Sequence, residues 1–168
     1  MTTTIALLEV DADGLTVIQQ LARTIWYQHY PGIITNEQIE YMLTKMYSVD
    51  ALTKQVSEGQ RFYFIQQQET PIGFIAISEQ EPGNYFIHKF YISGSVQNRG
   101  IGSAVLDLLI KKFSGMATMR LTVNRQNFKS INFYFKKGFK IERVADFDIG
   151  NGYVMNDFVM VWQQKANQ

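Results

Sequence analysis

Apolar positions along the chain fall into two kinds of run, and each predicts an element. Residues 3–10 form an apolar stretch followed by Asp11-Ala12-Asp13-Gly14, the pattern of a strand leading to a helix, with Asp11 or Asp13 as the helix N-cap. Leu15, Ile18, Leu21, Ala22 and Ile25 then recur at three-and-four spacing, so this helix has one buried face. Pro31 and Gly32 break it. Thr35 and Gln38 have the spacing of a capping box, Ile39, Met42, Leu43 and Met46 carry a second helix, and a shorter helical piece follows over 51–58. The pattern then changes to strands. "RFYFIQQQ", "PIGFIAIS" and "YFIHKFYI" are rich in aromatic and β-branched residues, and short polar turns at Glu69-Thr70-Pro71 and Glu81-Pro82-Gly83-Asn84 separate them, which predicts an antiparallel meander. Pro82-Gly83 suits the centre of a type II turn. A glycine-containing loop, a helix to about Phe113, the strand "ATMRLTVN", a helix closed by Gly138 and two strands around the hairpin turn Ile149-Gly150-Asn151-Gly152 complete the chain. The order β-α-α-β-β-β-α-β-α-β-β predicts an α/β (α+β) fold: a mixed, mostly antiparallel seven-stranded sheet flanked by about four helices.

Composition narrows the class of protein. With 168 residues, 46% of them hydrophobic, the chain can fill one substantial core, and no repeat or linker divides it, so a single domain over 1–168 is expected. A formal net charge of +1 gives no global attraction to nucleic acid or an anionic membrane, so any anionic ligand must be bound locally. The absence of cysteine excludes disulfides, thiolate metal sites and a thiol nucleophile. His29 and His88 lack paired ligand spacing, so no metal is expected. The N-terminus lacks the features of a secretion signal, and no apolar run reaches the roughly 18 residues that span a bilayer. A cytoplasmic location is the expectation.

The loop Gln97-Asn98-Arg99-Gly100-Ile101-Gly102 precedes a helix whose apolar face is Ile101, Val105, Leu108 and Leu109. A helix start presents backbone N–H groups without intrahelical partners and a partial positive charge, so it is a natural anion site. Gly100 and Gly102 let the backbone turn and approach a bulky anion, and Ser103 adds a hydroxyl. No Gly-Lys-Ser/Thr follows, which excludes a P-loop, and Val105 stands where a Rossmann fingerprint needs its third glycine.

Beyond the next strand, Val123, Asn127, Phe133, Tyr134, Gly138 and Phe139 form a second constellation. With it the chain resembles the GCN5-related N-acetyltransferase (GNAT) superfamily over nearly its whole length. The glycine loop matches the family's Arg/Gln-x-x-Gly-x-Gly/Ala pyrophosphate loop, and the later residues match its Val…Asn…Phe-Tyr…Gly-Phe segment. The resemblance implies transfer of an acetyl group from acetyl-CoA to an amine. In the family the fourth strand is splayed from the fifth, and the pantetheine arm lies in that gap. The carry-over assigns the pantetheine to main-chain groups of Phe90, Tyr91 and Ile92 and to Asn127. Asn98, Arg99, Gly100, Ile101, Gly102 and Ser103, after Gln97, take the pyrophosphate, and Lys136 and Lys137 are within reach of the adenosine phosphates.

The chemistry requires a neutral amine, a polarised thioester carbonyl and a proton for the departing thiolate. An alkylamine with a pKa of about 10.4 is almost entirely protonated at neutral pH, so a base must help. A strand N–H near Tyr91 or Ile92 would stabilise charge on the carbonyl oxygen. Tyr134 is the family-equivalent acid, since a phenol holds its proton at neutral pH and can give it to a thiolate. His88, two residues before Phe90, is a candidate base, and a half-buried structural histidine is the alternative; Glu79 and Glu81 at the preceding turn are further candidates.

The acceptor is less defined. The first helices and last hairpin look like the subgroup of bacterial spermidine/spermine N-acetyltransferases. That likeness implies a polyamine, met by a wall of Tyr30, Tyr41, Met42 and Tyr47 with Glu37 or Glu40 on a second ammonium. Met42 and Met46 read more readily as core. Other small amines, protein N-termini and a non-catalytic coenzyme A sensor are the alternatives. Aromatic-rich sheets of this family often dimerise, so a homodimer is among the expected assemblies.

Overall fold

The computed structural model describes residues 4–96 and 100–165. Strand β1 (Ile5–Glu9) leads to helices α1 (Leu15–His29), α2 (Asn36–Tyr47) and α3 (Val49–Ser57). Strands β2 (Arg61–Gln67), β3 (Thr70–Glu81) and β4 (Asn84–Ile92) follow, then α4 (Ile101–Lys112), β5 (Thr118–Asn124), α5 (Phe128–Lys136), β6 (Lys140–Gly150) and β7 (Tyr153–Gln163). The strands form one sheet in the order β1-β2-β3-β4-β5-β7-β6. Among the described ladders, β4 with β5 is parallel, and β1–β2, β2–β3, β5–β7 and β6–β7 are antiparallel. The expected architecture is present, with the short helical piece after α2 forming a full fifth helix. No described helix is long and apolar enough to cross a membrane.

Internal contacts divide the chain into two units, Met1–Ser78 with Lys89–Ser114, and Glu79–His88 with Gly115–Gln168. In the first, α1 buries Leu15, Ile18, Ala22 and Ile25, the face that the sequence spacing predicts. Its N-cap, however, is Gly14 rather than Asp11 or Asp13. A Cβ at Gly14 would lie 2.7 Å from Val10 Cγ1 and 3.3 Å from Phe64, so the strand-to-helix corner is too tight for a side chain at the cap. Asp11 instead closes the turn, its Oδ1 accepting from the Gly14 N–H at 2.9 Å. Thr35 caps α2 as its spacing predicts, accepting from the Gln38 N–H at 3.1 Å. Ser48 ends α2 in an extended conformation and caps α3, accepting from the Ala51 N–H at 3.1 Å.

Strand β3 carries a bulge. Ile65 pairs with Gly73 but Gln66 pairs with Pro71, which leaves Ile72 as an extra residue. The Ile72 carbonyl accepts the N–H of Ser93, just past the end of β4, at 2.8 Å.

The second unit opens at the turn after β3. Gly83 has φ +82°, and its carbonyl accepts the N–H groups of Ala117 (2.7 Å) and Thr118 (3.1 Å), which brings the start of β4 alongside β5. Helix α5 ends at Gly138 (φ +93°), with the Phe139 N–H returning to the Tyr134 carbonyl at 3.0 Å. Asn151 and Gly152 both have positive φ, 54° and 77°, the geometry of a type I′ turn between β6 and β7.

Candidate active site

In the first unit, the end of β4 is held from two directions. The C-terminal turn of α1 grips it on one side. His29 Nε2 donates to the Ile92 carbonyl at 3.1 Å, Gln28 Oε1 accepts the Gly94 N–H at 2.7 Å, and the hydroxyls of Tyr30 and Tyr91 are bonded at 3.0 Å. The β3 bulge holds the other side. A Cβ at Gly73 would lie 2.2 Å from the Tyr91 carbonyl oxygen and 3.0 Å from Ile92 Cα, so this approach of the two strands requires glycine. The main-chain groups of Phe90, Tyr91 and Ile92 therefore occupy defined positions. Gln28 and His29 were not candidates from sequence, because polar residues on the last turn of an amphipathic helix read as solvated.

At the start of α4, Gly100 is the N-cap with φ +72°, and among the described residues no side chain caps the helix. Among the described residues, no atom lies within 4 Å of where its Cβ would be, and the first turn carries no acidic residue. The main chain of Ile101, Gly102 and Ser103 thus begins the helix, and buried Ile101, Val105, Leu106 and Leu109 anchor it. This arrangement fits a phosphate group. Gln97, Asn98 and Arg99, assigned from sequence to the same loop, lie outside the described residues.

Lys89 points the opposite way from Phe90 and is only 4% exposed. Its ammonium donates to Gln55 Oε1 at 2.6 Å and Gln60 Oε1 at 3.3 Å, and lies 5.6 Å and 5.3 Å from the ring centres of Tyr47 and Phe62. Burial lowers its pKa to about 8. The folded pKa lies below the ordinary 10.5, so between these values the unfolded chain binds more protons and stability rises with pH. Urea unfolding is expected to show a gain on the order of 3 kcal/mol from pH ~8 to ~10.5 that is absent in Lys89→Met. Equal pH slopes for the two proteins would refute a depressed Lys89.

The residues expected to meet the acceptor are spread in character. Tyr30 is buried against Trp26, with ring centres 4.5 Å apart. Tyr41 is half-buried with the chain's own Lys45 ammonium 5.6 Å over its ring, and Glu37 is exposed in the first turn of α2. Met42 and Tyr47 belong to the interior at 3% and 1% exposure, so they form no wall around a substrate. Glu40 is already engaged: Arg23 binds both its oxygens at 2.6 and 3.0 Å and the Tyr27 hydroxyl donates to it. These bonds pull its carboxyl down to about 2, Arg23 contributing most.

In the second unit, Asn127 caps α5, its Oδ1 accepting from the Ser130 N–H at 3.3 Å, so its Nδ2 is the group available to a ligand. Tyr134 is buried, its ring 5.3 Å from both Phe133 and Phe139. His88 is half-buried with its ring 4.9 Å from Phe86, and Lys137 is the half-buried C-cap of α5. Glu79 serves the turn after β3, accepting the Gly83 N–H at 2.9 Å.

One residue absent from the sequence-based candidates stands out. Asp157, on β7 directly across from Asn124, is 6% exposed, and its Oδ1 has no hydrogen-bond partner among the described residues. The available signal was a carboxylate inside the apolar run "YVMNDFVMV", where strands rarely place one. Among the described residues, no three His, Cys, Asp or Glu side chains form a group able to hold a metal ion.

The chain is 28% identical to a spermidine N(1)-acetyltransferase of Thermoplasma acidophilum over 142 residues, 80% of this chain and 87% of the relative. It is 25% identical over 96 residues to a peptidyl-lysine N-acetyltransferase of Salmonella typhimurium, covering 56% of this chain and 61% of that one. The crystal structure of PaiA N-acetyltransferase from Thermoplasma acidophilum in complex with coenzyme A superimposes with a TM-score of 0.78 at 27% identity, over 96% of this chain and 99% of that one. The model of the acetyltransferase (GNAT) family matches residues 20–139, and the chain belongs to that family.

Proposed function

We propose that the protein is an acetyl-CoA-dependent N-acetyltransferase acting on a primary amine by direct attack, with a polyamine such as spermidine as acceptor. The observation that carries the reading is the glycine-opened start of α4, with Gly100 at φ +72° and a buried apolar face behind it, suited to a pyrophosphate. Family membership supports the reaction class, and the coenzyme A complex of the PaiA relative supports the co-substrate. When bound, acetyl-CoA supplies an activated acyl group with a thiol leaving group.

The first unit contributes the main-chain groups of Phe90, Tyr91 and Ile92 for the pantetheine, and an N–H among them polarises the acyl carbonyl. Gly100 to Ser103 receive the pyrophosphate through backbone N–H groups, with Gln97 to Arg99 in the same loop. In the second unit, Asn127 bonds the pantetheine through Nδ2, Lys137 meets an adenosine phosphate, and Tyr134 gives a proton to the departing sulfur. Tyr30, Tyr41 and Glu37 meet the acceptor. The polyamine rests on the spermidine acetyltransferase relative; the peptidyl-lysine relative favours a protein amine as the second reading. The lack of cysteine agrees with a cytoplasmic setting.

Calorimetry with acetyl-CoA, followed by thiol release with an amine panel, tests the reading. Saturable binding of one acetyl-CoA per chain and turnover with spermidine are expected. No saturable binding would refute it, and binding without turnover on any amine would leave a coenzyme A sensor.

A further inference from the structure

We propose that Asp157 is the residue that receives the ammonium group of the acceptor and takes a proton from it, a role that rests on the acetyl-transfer reading above. The placement comes first. Residues paired across neighbouring strands share a sheet face. Asp157 pairs with Asn124 and Thr122 with Val159, while Phe86 pairs with Arg120, so His88, two residues on from Phe86, lies on that face as well. His88, Thr122, Asn124 and Asp157 thus share one face of the second unit. Asn124 is the last residue of β5, in the parallel β4–β5 pair, and the carboxyl ends of parallel strands are where such sheets hold ligands.

The state of the carboxyl group comes second. A buried carboxylate is costly unless it is paired. Arg125, the cation beside it, spends Nη2 on Asp146 at 2.9 Å and turns Nη1 towards the Asp157 main-chain oxygen at 3.4 Å. Oδ1 is left without a partner among the described residues. A buried carboxylate with one oxygen unfilled is what an arriving cation requires. Burial raises the carboxyl to about 6, and Asp146 on β6 pushes the same way; Arg125 and a hydrogen bond from Thr122 act against them. Lys140 and Arg143 on β6, Tyr153 on β7, His88 on β4, and Arg120 on β5 with its ion-pair partner Glu142 are the other titratable groups on this face. Asp157 is therefore ionised at neutral pH and close enough to it to act as a base.

The step balances. One proton passes from the ammonium to Oδ1, and the freed lone pair forms the C–N bond as the C–S bond breaks. The sulfur gains a proton from Tyr134, which the nitrogen's second proton restores, and Asp157 releases its proton to solvent. No oxidation state changes.

Asp157→Asn keeps the shape and removes the basicity. With acetyl-CoA and spermidine, or the best amine of the panel, kcat/KM is expected to fall about 100-fold or more, and the acidic limb of the wild-type profile near pH 6 is expected to vanish. Acetyl-CoA affinity by calorimetry stays unchanged. A structural role would instead lower stability. Here the folded pKa lies above the unfolded value of about 3.9, so the buried charge costs stability above pH ~6 and costs nothing below pH ~4. The variant should therefore melt no lower than wild type at neutral pH. Should Asp157→Asn fail to fold, Thr122→Val serves: losing the hydroxyl moves the acidic limb to higher pH. Wild-type turnover with an intact acidic limb in Asp157→Asn, an unmoved limb in Thr122→Val, or lost stability with weakened acetyl-CoA binding would each overturn the role. A wild-type protein that acetylates no amine would overturn the acetyl-transfer reading itself.

Discussion

Tyr134→Phe is expected to slow the chemical step by about 10²- to 10⁴-fold, the usual contribution of a positioned acid, while acetyl-CoA binds as before. The exchange removes a single oxygen from a residue that is 8% exposed. The ring keeps its neighbours Phe133 and Phe139, and the main-chain bond from the Phe139 N–H to the Tyr134 carbonyl at the end of α5 is untouched. Packing and helix termination therefore survive, and stability should change by only about 1 kcal/mol, the net worth of a hydroxyl's hydrogen bond. Single-turnover mixing of acetyl-CoA-loaded protein with amine isolates the step from product release. An unchanged rate there would reduce Tyr134 to a packing residue.

Gly73→Ala is expected to do its damage by an unrelated route. The added carbon would sit 2.2 Å from the Tyr91 carbonyl oxygen, and both partners are backbone, so no rotamer change relieves the clash. One strand must move. Overpacking of this kind costs about 1–3 kcal/mol, and the displaced segment is the one assigned to the pantetheine. Urea unfolding should show the lost stability, and calorimetry should show acetyl-CoA affinity reduced about tenfold or more, equivalent to about 1.4 kcal/mol. Lost stability with wild-type affinity would remove the end of β4 from the binding site.

Most of the fold was legible because each element carries its own signal. The buried face of α1, the Thr35 cap, the Pro82-Gly83 turn and the Asn151-Gly152 hairpin are all local in sequence. What escaped depends on residues distant in the chain. Gly14 takes the cap from two aspartates because Val10 and Phe64 crowd it. Glu40 looked like an ammonium site until Arg23 and Tyr27, on the preceding helix, turned out to hold it. Tyr47 has the composition of a binding wall, and only burial identifies it as core, whereas Met42 already reads as core from the sequence.

The candidate site divides the same way. Gly100 and Asn127 announce themselves at the starts of helices, through motifs a few residues long. Gly73 is silent in sequence, where a glycine inside an apolar strand reads only as a weak point; its meaning lies in Tyr91, paired to it by the fold. Asp157 gives only the faint signal of a carboxylate within an apolar run. On an exposed strand a lone aspartate means little, and its burial follows from neighbours on β5 and β6 that no local window contains.

The extra residue in β3 has a bearing on which length changes the chain can tolerate. Without Ile72 the β2–β3 ladder would run in regular register, so sheet formation alone would be served by a strand one residue shorter. What would be lost is the carbonyl that receives Ser93, and with it the anchorage of the segment leaving β4. Under the proposed function, a one-residue deletion here is expected to cost acetyl-CoA turnover more than sheet architecture, which would make strand length itself a functional trait.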